Sequence, residues 1–171
     1  MARLSNKSGV DEKGQRTPRS TDVYMPKEGM KEVSYCRKCG VIYRQKRWIM
    51  DPDELARIKG DPASGKIVCP ACQRMQDGVP GGFFTLAGEY LRQHEVQILE
   101  LIKNTEAKAR LKNPLGRIME IRQEGDVLTI LTTEEKIAQK LGRDLFKAHR
   151  GELRFHWSHG DNAVRVEWSR S

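Results

Sequence analysis

The chain has 171 residues, of which 37% are hydrophobic and 32% are charged. This composition is lean for one large core, yet far from that of a wholly disordered chain. The net charge of +8 favours a polyanionic partner, nucleic acid before an anionic membrane. No stretch approaches the roughly 18 consecutive apolar residues of a membrane span, and residues 1–16 lack the apolar stretch of a secretory signal, so we expect a cytoplasmic protein without a membrane partner.

Residues 1–30 are rich in Ser, Gly, Lys, Arg and Pro, and their few apolar residues follow no period. Such a composition is typical of a flexible, mildly basic tail. Two interpretations stay open: an inert, solubilising tail, or an arm that becomes ordered when it binds.

Residues 31–80 contain all four cysteines, Cys36, Cys39, Cys69 and Cys72, as two Cys-x-x-Cys pairs. In a reducing compartment such pairs bind a metal more often than they form disulfides. A structural zinc ion takes four thiolates in a tetrahedron, so the pattern predicts a zinc ribbon over 31–80. Four thiolates leave no open position for catalysis. An iron centre with the same ligands and a redox dithiol are the alternatives.

Short elements are predicted between and around the two cysteine pairs. Residues 41–43 and 48–50 indicate a strand pair, and Asp51 followed by Pro52 predicts the start of a short helix over 51–59. Residues 67–68 indicate a strand that leads into the second pair. The glycine-rich stretch 78–82 predicts a boundary.

The predicted ribbon is strongly basic. Residues 31–80 carry ten basic and six acidic side chains, so this segment supplies +4 of the net charge of +8, and residues 37–50 contain no acid. Cations pair with phosphates and aromatic rings stack on bases. The alternative is a solvated surface whose aromatic rings pack over the metal site. The candidate nucleic-acid-binding residues here are Arg37, Lys38, Tyr43, Arg44, Lys46, Arg47 and Trp48.

Residues 81–114 predict a long connecting helix over 86–111. Apolar residues recur there at helical spacing, Thr85 is a suitable cap, and Asn113-Pro114 ends the pattern. This helix is also the candidate surface for a protein partner or for dimerisation.

Residues 115–171 predict an antiparallel β-β-α-β-β module. Residues 117–122 and 127–131 flank a hairpin turn, a helix follows to about His149, and two alternating strands, 153–157 and 164–168, end the chain. Strict alternation predicts strands with one buried face. The predicted fold class is therefore α+β: a four-cysteine zinc ribbon, a long helix, and this module with its helices on one side.

The helix before His149 carries a basic stripe at steps of three and four residues, which places its members on one side of the helix. A plain solvated face is the alternative to a second nucleic-acid contact. The candidate residues are Lys136, Lys140, Arg143 and Lys147.

The sequence contains no catalytic constellation. It has no phosphate-binding glycine motif, no Gly-x-Ser-x-Gly and no His-Glu-x-x-His. We therefore expect a protein that is not an enzyme, with no catalytic residues and no small-molecule substrate.

The layout resembles a known family. Residues 35–41, Trp48, residues 67–72 and the C-terminal part from Gly151 to Trp168 are similar to the first part of the ribosomal large-subunit export adaptor family, the nonsense-mediated decay three proteins. Short bacterial zinc-ribbon proteins are similar too. The likeness spans 31–171 and implies a factor that binds the ribosome or its RNA. Because that family has more metal-binding cysteines, a simpler role is expected, in subunit maturation or in the hibernation of idle ribosomes under stress.

The leading hypothesis is a zinc-containing, ribosome-associated protein that binds ribosomal RNA and is not an enzyme. A DNA-binding, transcription-linked zinc-ribbon regulator is the second hypothesis. A protein-interaction adaptor that uses the helix over 86–111 is the third.

Overall fold

The computed structural model describes residues 9–13, 24, 31–158, 160 and 163–171. In these residues the chain forms five helices and two sheets, so the protein has a mixed α+β structure. The strands are β1 (Val10–Lys13), β2 (Val33–Cys36), β3 (Ile42–Arg44), β4 (Arg47–Ile49), β5 (Gly65–Ile67), β6 (Gly82–Ala87), β7 (Ile118–Glu124), β8 (Val127–Thr132), β9 (Glu152–Trp157) and β10 (Val164–Ser169). The helices are α1 (Pro52–Lys59), α2 (Pro70–Asp77), α3 (Glu89–Gln93), α4 (Glu95–Lys112) and α5 (Glu135–His149).

The large sheet has six strands in the order β1-β9-β10-β6-β8-β7. The pairs β9/β10, β6/β8 and β7/β8 are antiparallel, whereas β1/β9 and β10/β6 are parallel. Buried residues alternate with more exposed ones along β6, β8, β9 and β10, which gives the sheet one core face. Helix α5 packs on β6, β9 and β10, and α4 packs against α5.

Helix α5 approaches the sheet closely at Gly142. A Cβ atom at this position would lie 2.7 Å from Val166 Cγ1 and 3.0 Å from Leu153 Cδ1. Both neighbours are fully buried, so only glycine allows this distance between helix and sheet. The core around this contact includes Phe84 and Trp168, both almost inaccessible to solvent.

The hairpin β7/β8, helix α5 and the strand pair β9/β10 confirm the elements predicted after residue 115. The layout before them differs from the prediction. Residues 82–87 form the strand β6 at the centre of the large sheet, where no strand was predicted and the helix was expected to begin at residue 86. Because β6 hydrogen-bonds to both β8 and β10, the segment from β6 to α4 belongs to the large-sheet unit and does not merely connect two modules.

The predicted helix over 86–111 is broken at His94. Its backbone is not helical, with φ −126° and ψ 22°, and its Nδ1 lies 3.1 Å from the carbonyl oxygen of Tyr90. The imidazole thus competes with the helical backbone bonds at that carbonyl. Beyond the break, α4 buries Ile98, Ile102 and Thr105, and these residues confirm the predicted apolar face.

The small sheet has the strand order β4-β3-β2-β5. The hairpin β3/β4 confirms the predicted strand pair, and α1 begins at Pro52 after Asp51, whose side chain accepts from the N–H groups of Asp53 and Glu54. The two residues of the hairpin turn, Gln45 and Lys46, both have positive φ, at 51° and 61°. Two-residue hairpins favour this conformation, but asparagine and glycine adopt it at lower cost.

Residues 9–13 are the main part of the predicted tail that the structure describes. They contain β1, which pairs in parallel with β9, so this part of the predicted tail extends the large sheet. Apart from Tyr24, the rest of the predicted tail lies outside the described residues. Among the helices described, none is long and apolar enough to cross a membrane.

Candidate metal centre

The four cysteines converge on one point. The sulfur atoms of Cys36, Cys39, Cys69 and Cys72 all lie within 4.8 Å of one another, and those of Cys39 and Cys69 are 3.7 Å apart. Tetrahedral zinc with zinc–sulfur bonds of about 2.3 Å separates its sulfurs by about 3.8 Å. The cluster therefore has the dimensions of a site for one ion. A multi-iron cluster would place its own atoms between the sulfurs and hold them farther apart.

The first cysteine pair lies in a tight turn between β2 and β3. Cys36 is the last residue of β2, its carbonyl accepts the N–H of Gly40 at 2.9 Å, and its N–H donates to Val41 at 2.8 Å. Gly40 has φ +82°, and a Cβ there would lie 2.7 Å from Leu55 Cδ2. Both the conformation and the close approach require glycine, so the turn can present both sulfurs on the same side.

The second pair lies at the start of α2. Cys69 is the N-cap, Pro70 is the first helical residue, and the N–H of Cys72 points at Cys69 Sγ at 3.4 Å. The N–H of Cys69 in turn points at Cys36 Sγ at 3.3 Å. Backbone donors and a helix N-terminus both favour thiolates, which are the form that binds a metal.

The cluster is closed to solvent on most sides. Cys36, Cys69 and Cys72 are buried and Cys39 is half-buried. Val41, Ala71 and Leu115 are buried beside them, and Trp48 packs against the same group. Four protein ligands in an enclosed setting match a structural metal site and leave no position for a substrate.

Arg117 is a member of this site that the cysteine pattern does not reveal. Its Nη2 donates to Cys39 Sγ at 3.1 Å, and its Nη1 lies 3.7 Å from Cys72 Sγ. Arg117 is only 7% exposed. It is 78 residues from Cys39 and 45 from Cys72 in the chain, so no local spacing could have identified it.

These contacts shift the pKa values of the cysteines in opposite directions. The hydrogen bond with Cys69 is the largest influence on Cys39 and, with help from Arg117, lowers the pKa of Cys39 to about 4. The same bond, together with burial, raises the pKa of Cys69, and burial raises the pKa of Cys72. An ion that binds all four sulfurs must therefore displace protons, which makes its affinity dependent on pH.

Four of the seven predicted nucleic-acid-binding residues in the small-sheet segment form two exposed pairs. Arg37 and Lys38 lie in the turn between β2 and β3 that contains the first cysteine pair. Lys46 and Arg47 lie at the tip of the β3/β4 hairpin. The two pairs are at opposite ends of β3, a strand of three residues that is about 10 Å long at 3.3 Å per residue. Arg44 instead forms an ion pair with Glu54 at 2.5 Å.

The two predicted stacking residues pack on each other. The rings of Tyr43 and Trp48 have centroids 4.9 Å apart and planes at 51°. Both side chains are partly buried, and Trp48 also packs against the cysteine cluster. Part of their aromatic surface is therefore packed inside the protein, as expected if these rings pack over the metal site and do not stack on bases.

The basic stripe on α5 is smaller than predicted. Lys136, Lys140 and Lys147 are exposed, and Lys140 forms an ion pair with Asp144 at 3.1 Å. Arg143 is 8% exposed, and its guanidinium lies over the Phe155 ring at 5.3 Å. Arg143 is thus largely withdrawn from solvent, and the exposed members of the stripe are the three lysines.

Helices α3 and α4 leave little apolar surface for a protein partner. Within the described residues, the large apolar side chains exposed on these helices are Val96, at 71%, and Leu111, at 88%. They are 15 positions apart in the chain, so along the helix they are separated by about 22 Å. The pair therefore does not form one continuous apolar patch.

Comparisons with protein-family models, with curated proteins and with solved structures found no match to this chain. The metal-binding and nucleic-acid-binding parts of a functional proposal therefore rest on the geometry of the cysteine cluster and the charges around it.

Proposed function

We propose that this chain is a structural-zinc protein that binds RNA and is not an enzyme, and that its partner in the cell is the ribosome. The observation that carries the metal part is the closed set of four sulfur atoms within 4.8 Å of one another. All-thiolate tetrahedral sites favour zinc or iron, and the spacing suits a single ion. Zinc is the proposed occupant because it has no redox chemistry and serves as a structural ion in four-thiolate sites.

Metal analysis of the purified protein tests this step. We expect about one zinc per chain, and the double variant C39S/C72S should lose it because only two thiolates remain. The matched control is S34A, which changes a buried serine of β2 and should keep its zinc. Iron in place of zinc would overturn the identity of the metal, and wild-type protein without either metal would overturn the site itself.

The RNA-binding step rests on the distribution of charge. Arg37, Lys38, Lys46 and Arg47 are exposed, and no acid lies between residues 37 and 50. Within the described residues none of these four forms an ion pair with a carboxylate, and cations that are not neutralised in this way suit phosphate contacts. The lysines of α5 provide a second basic surface, and the predicted tail is a third candidate contact.

The ribosome is proposed as the partner because of the resemblance to the export adaptor family. The test is sedimentation of the zinc-loaded protein with purified ribosomes at increasing salt. Association that weakens steeply with salt is the expected result. Protein that stays unbound even at low salt would overturn the proposal. Tighter binding to a DNA duplex than to structured RNA in filter assays would favour the transcription-linked regulator, and binding insensitive to salt would favour a protein-interaction adaptor.

A further inference from the structure

Arg117 presents an unusual electrostatic situation. Its guanidinium is buried, and its hydrogen bonds go to the carbonyl oxygen of Pro114 and to the sulfurs of Cys39 and Cys72. In the part of the chain that the structure describes, no carboxylate lies within ion-pair distance of it. A buried charge without a counter-charge is strongly destabilising, so the thiolates are the anions that stabilise the guanidinium at this position.

The metal site needs the Arg117 guanidinium for the same reason. Four thiolates around one divalent ion carry a net charge of −2, which is itself costly in a mostly buried position. The nearby guanidinium halves that charge. The fork of Arg117 reaches two different sulfurs, one from each cysteine pair, which a lysine ammonium with a single point charge would not reproduce.

The rest of the molecule holds Arg117 firmly in place. Its N–H donates to Thr133 Oγ1 at 2.9 Å, its carbonyl accepts the N–H of Thr133 at 2.9 Å, and Thr133 Oγ1 also donates to Leu115 O at 2.5 Å. Thr133 is fully buried and lies between β8 and α5. The contact to the sulfurs therefore originates in the large-sheet unit, whereas the cysteines belong to the small-sheet unit.

We infer that Arg117 is a positioning residue for the metal centre. Its guanidinium compensates the charge of the metal–thiolate group and fastens the small sheet to the large-sheet unit. Metal occupancy thereby controls how firmly the two units are docked, and so how the basic surfaces of the small sheet and of α5 are oriented to each other. This inference rests on the proposed metal site.

The first test measures the affinity for zinc by competition with a chelator in wild type, R117M and R117K. Loss of a residue that hydrogen-bonds metal ligands weakens metal binding by about 10- to 100-fold, and we expect that loss in R117M, with R117K intermediate. The control is R122M, which removes an exposed arginine on β7 that pairs with Glu120. Unchanged affinity in R117M, or an equal loss in R122M, would overturn the inference.

A spectroscopic readout separates charge compensation from a purely structural effect. Cobalt(II) bound at the four sulfurs gives a thiolate-to-metal charge-transfer band, and donors to the sulfurs raise its energy by stabilising the thiolate electrons. We expect the band to move to lower energy in R117M, to move part of the way back in R117K, and to stay in place in R122M. A band that does not move in R117M would overturn the inference. Wild-type protein that binds neither zinc nor cobalt would overturn the metal site instead, so the two failures are distinguishable.

Hydrogen exchange tests the docking. The N–H groups of Arg117 and Thr133 should exchange faster when a chelator removes zinc from the full chain, whereas Phe84 and Ile130 in the central strands should stay protected. In zinc-loaded R117K, exchange at Thr133 should lie between the two wild-type states. Equal protection of Arg117 and Thr133 with and without zinc would show that the metal does not control the docking.

Discussion

The tip of the β3/β4 hairpin is the sharpest place to test the RNA-binding proposal. Lys46 and Arg47 are exposed, and within the described residues neither makes an ion pair. The variant K46Q/R47Q removes two positive charges and keeps polar side chains at both positions. The matched control is K103Q/K108Q, which removes the same charge from exposed positions on α4.

The magnitude follows from counterion release. Each phosphate neutralised on a duplex contributes about −0.9 to the slope of log affinity against log salt. If Lys46 and Arg47 each contact one phosphate, the slope of K46Q/R47Q should be shallower by about 1.8. Over a fourfold rise in salt, wild type should then lose about 12-fold more affinity than the variant.

Fluorescence anisotropy with a labelled structured RNA measures this slope, and zinc content shows that each variant is folded around its metal. K103Q/K108Q should keep the wild-type slope, because its charges lie outside the proposed contact. A slope unchanged in K46Q/R47Q would refute the contact. Equal changes in both variants would show that only the net charge matters, and would refute the placement of RNA at the hairpin tip.

Three further predictions concern stability. K46G should stabilise the zinc-loaded protein against denaturant by about 1 kcal/mol, because glycine adopts the left-handed turn without strain; a lower stability would contradict the strain at φ 61°. G142A should destabilise it by about 1–3 kcal/mol despite a better helix propensity, because the new Cβ meets Val166; a more stable variant would contradict the close packing. Burial, with the nearby His94, lowers the pKa of His149, so unfolding takes up a proton and stability should fall as pH drops below about 6.5. In H149Q the loss of stability at acidic pH should be smaller than in wild type, as measured by thermal unfolding at a series of pH values. An equal loss in both proteins would show that other groups cause it.

The elements that the sequence predicted well are those with strong local patterns. Asp51-Pro52 starts α1 because its cap and its first residue are adjacent in the chain. The strict alternation of β9 and β10 is visible because each has one buried face. The strand β6 was missed because the apolar residues from Leu86 onward were assigned to the helix that follows, although Gly88, with φ +110°, separates the two elements. Its identity comes from β8 and β10, which lie on either side of it in the sheet.

The same distinction applies to the candidate site. The two Cys-x-x-Cys pairs predicted the sulfur cluster, since each pair is a local turn whose geometry depends on neighbours such as Gly40. Whether a charged side chain is exposed does not depend on the residues next to it in the sequence. Lys46 and Arg143 look alike as basic residues in a sequence, but one lies at a hairpin tip and the other is buried, with its guanidinium over the ring of Phe155.

By itself, the amino-acid sequence determined the four cysteines of the candidate metal site, the excess of positive charge around them, and the helices and strands with clear caps or periods. The tertiary structure alone decided that β6 occupies the centre of the large sheet, that Arg143 is withdrawn from solvent, and that Arg117 reaches the sulfurs. The reason is physical: caps, turns and alternation depend on residues a few positions apart, whereas strand order, burial and the counter-charge of a buried group depend on residues brought together from distant parts of the chain.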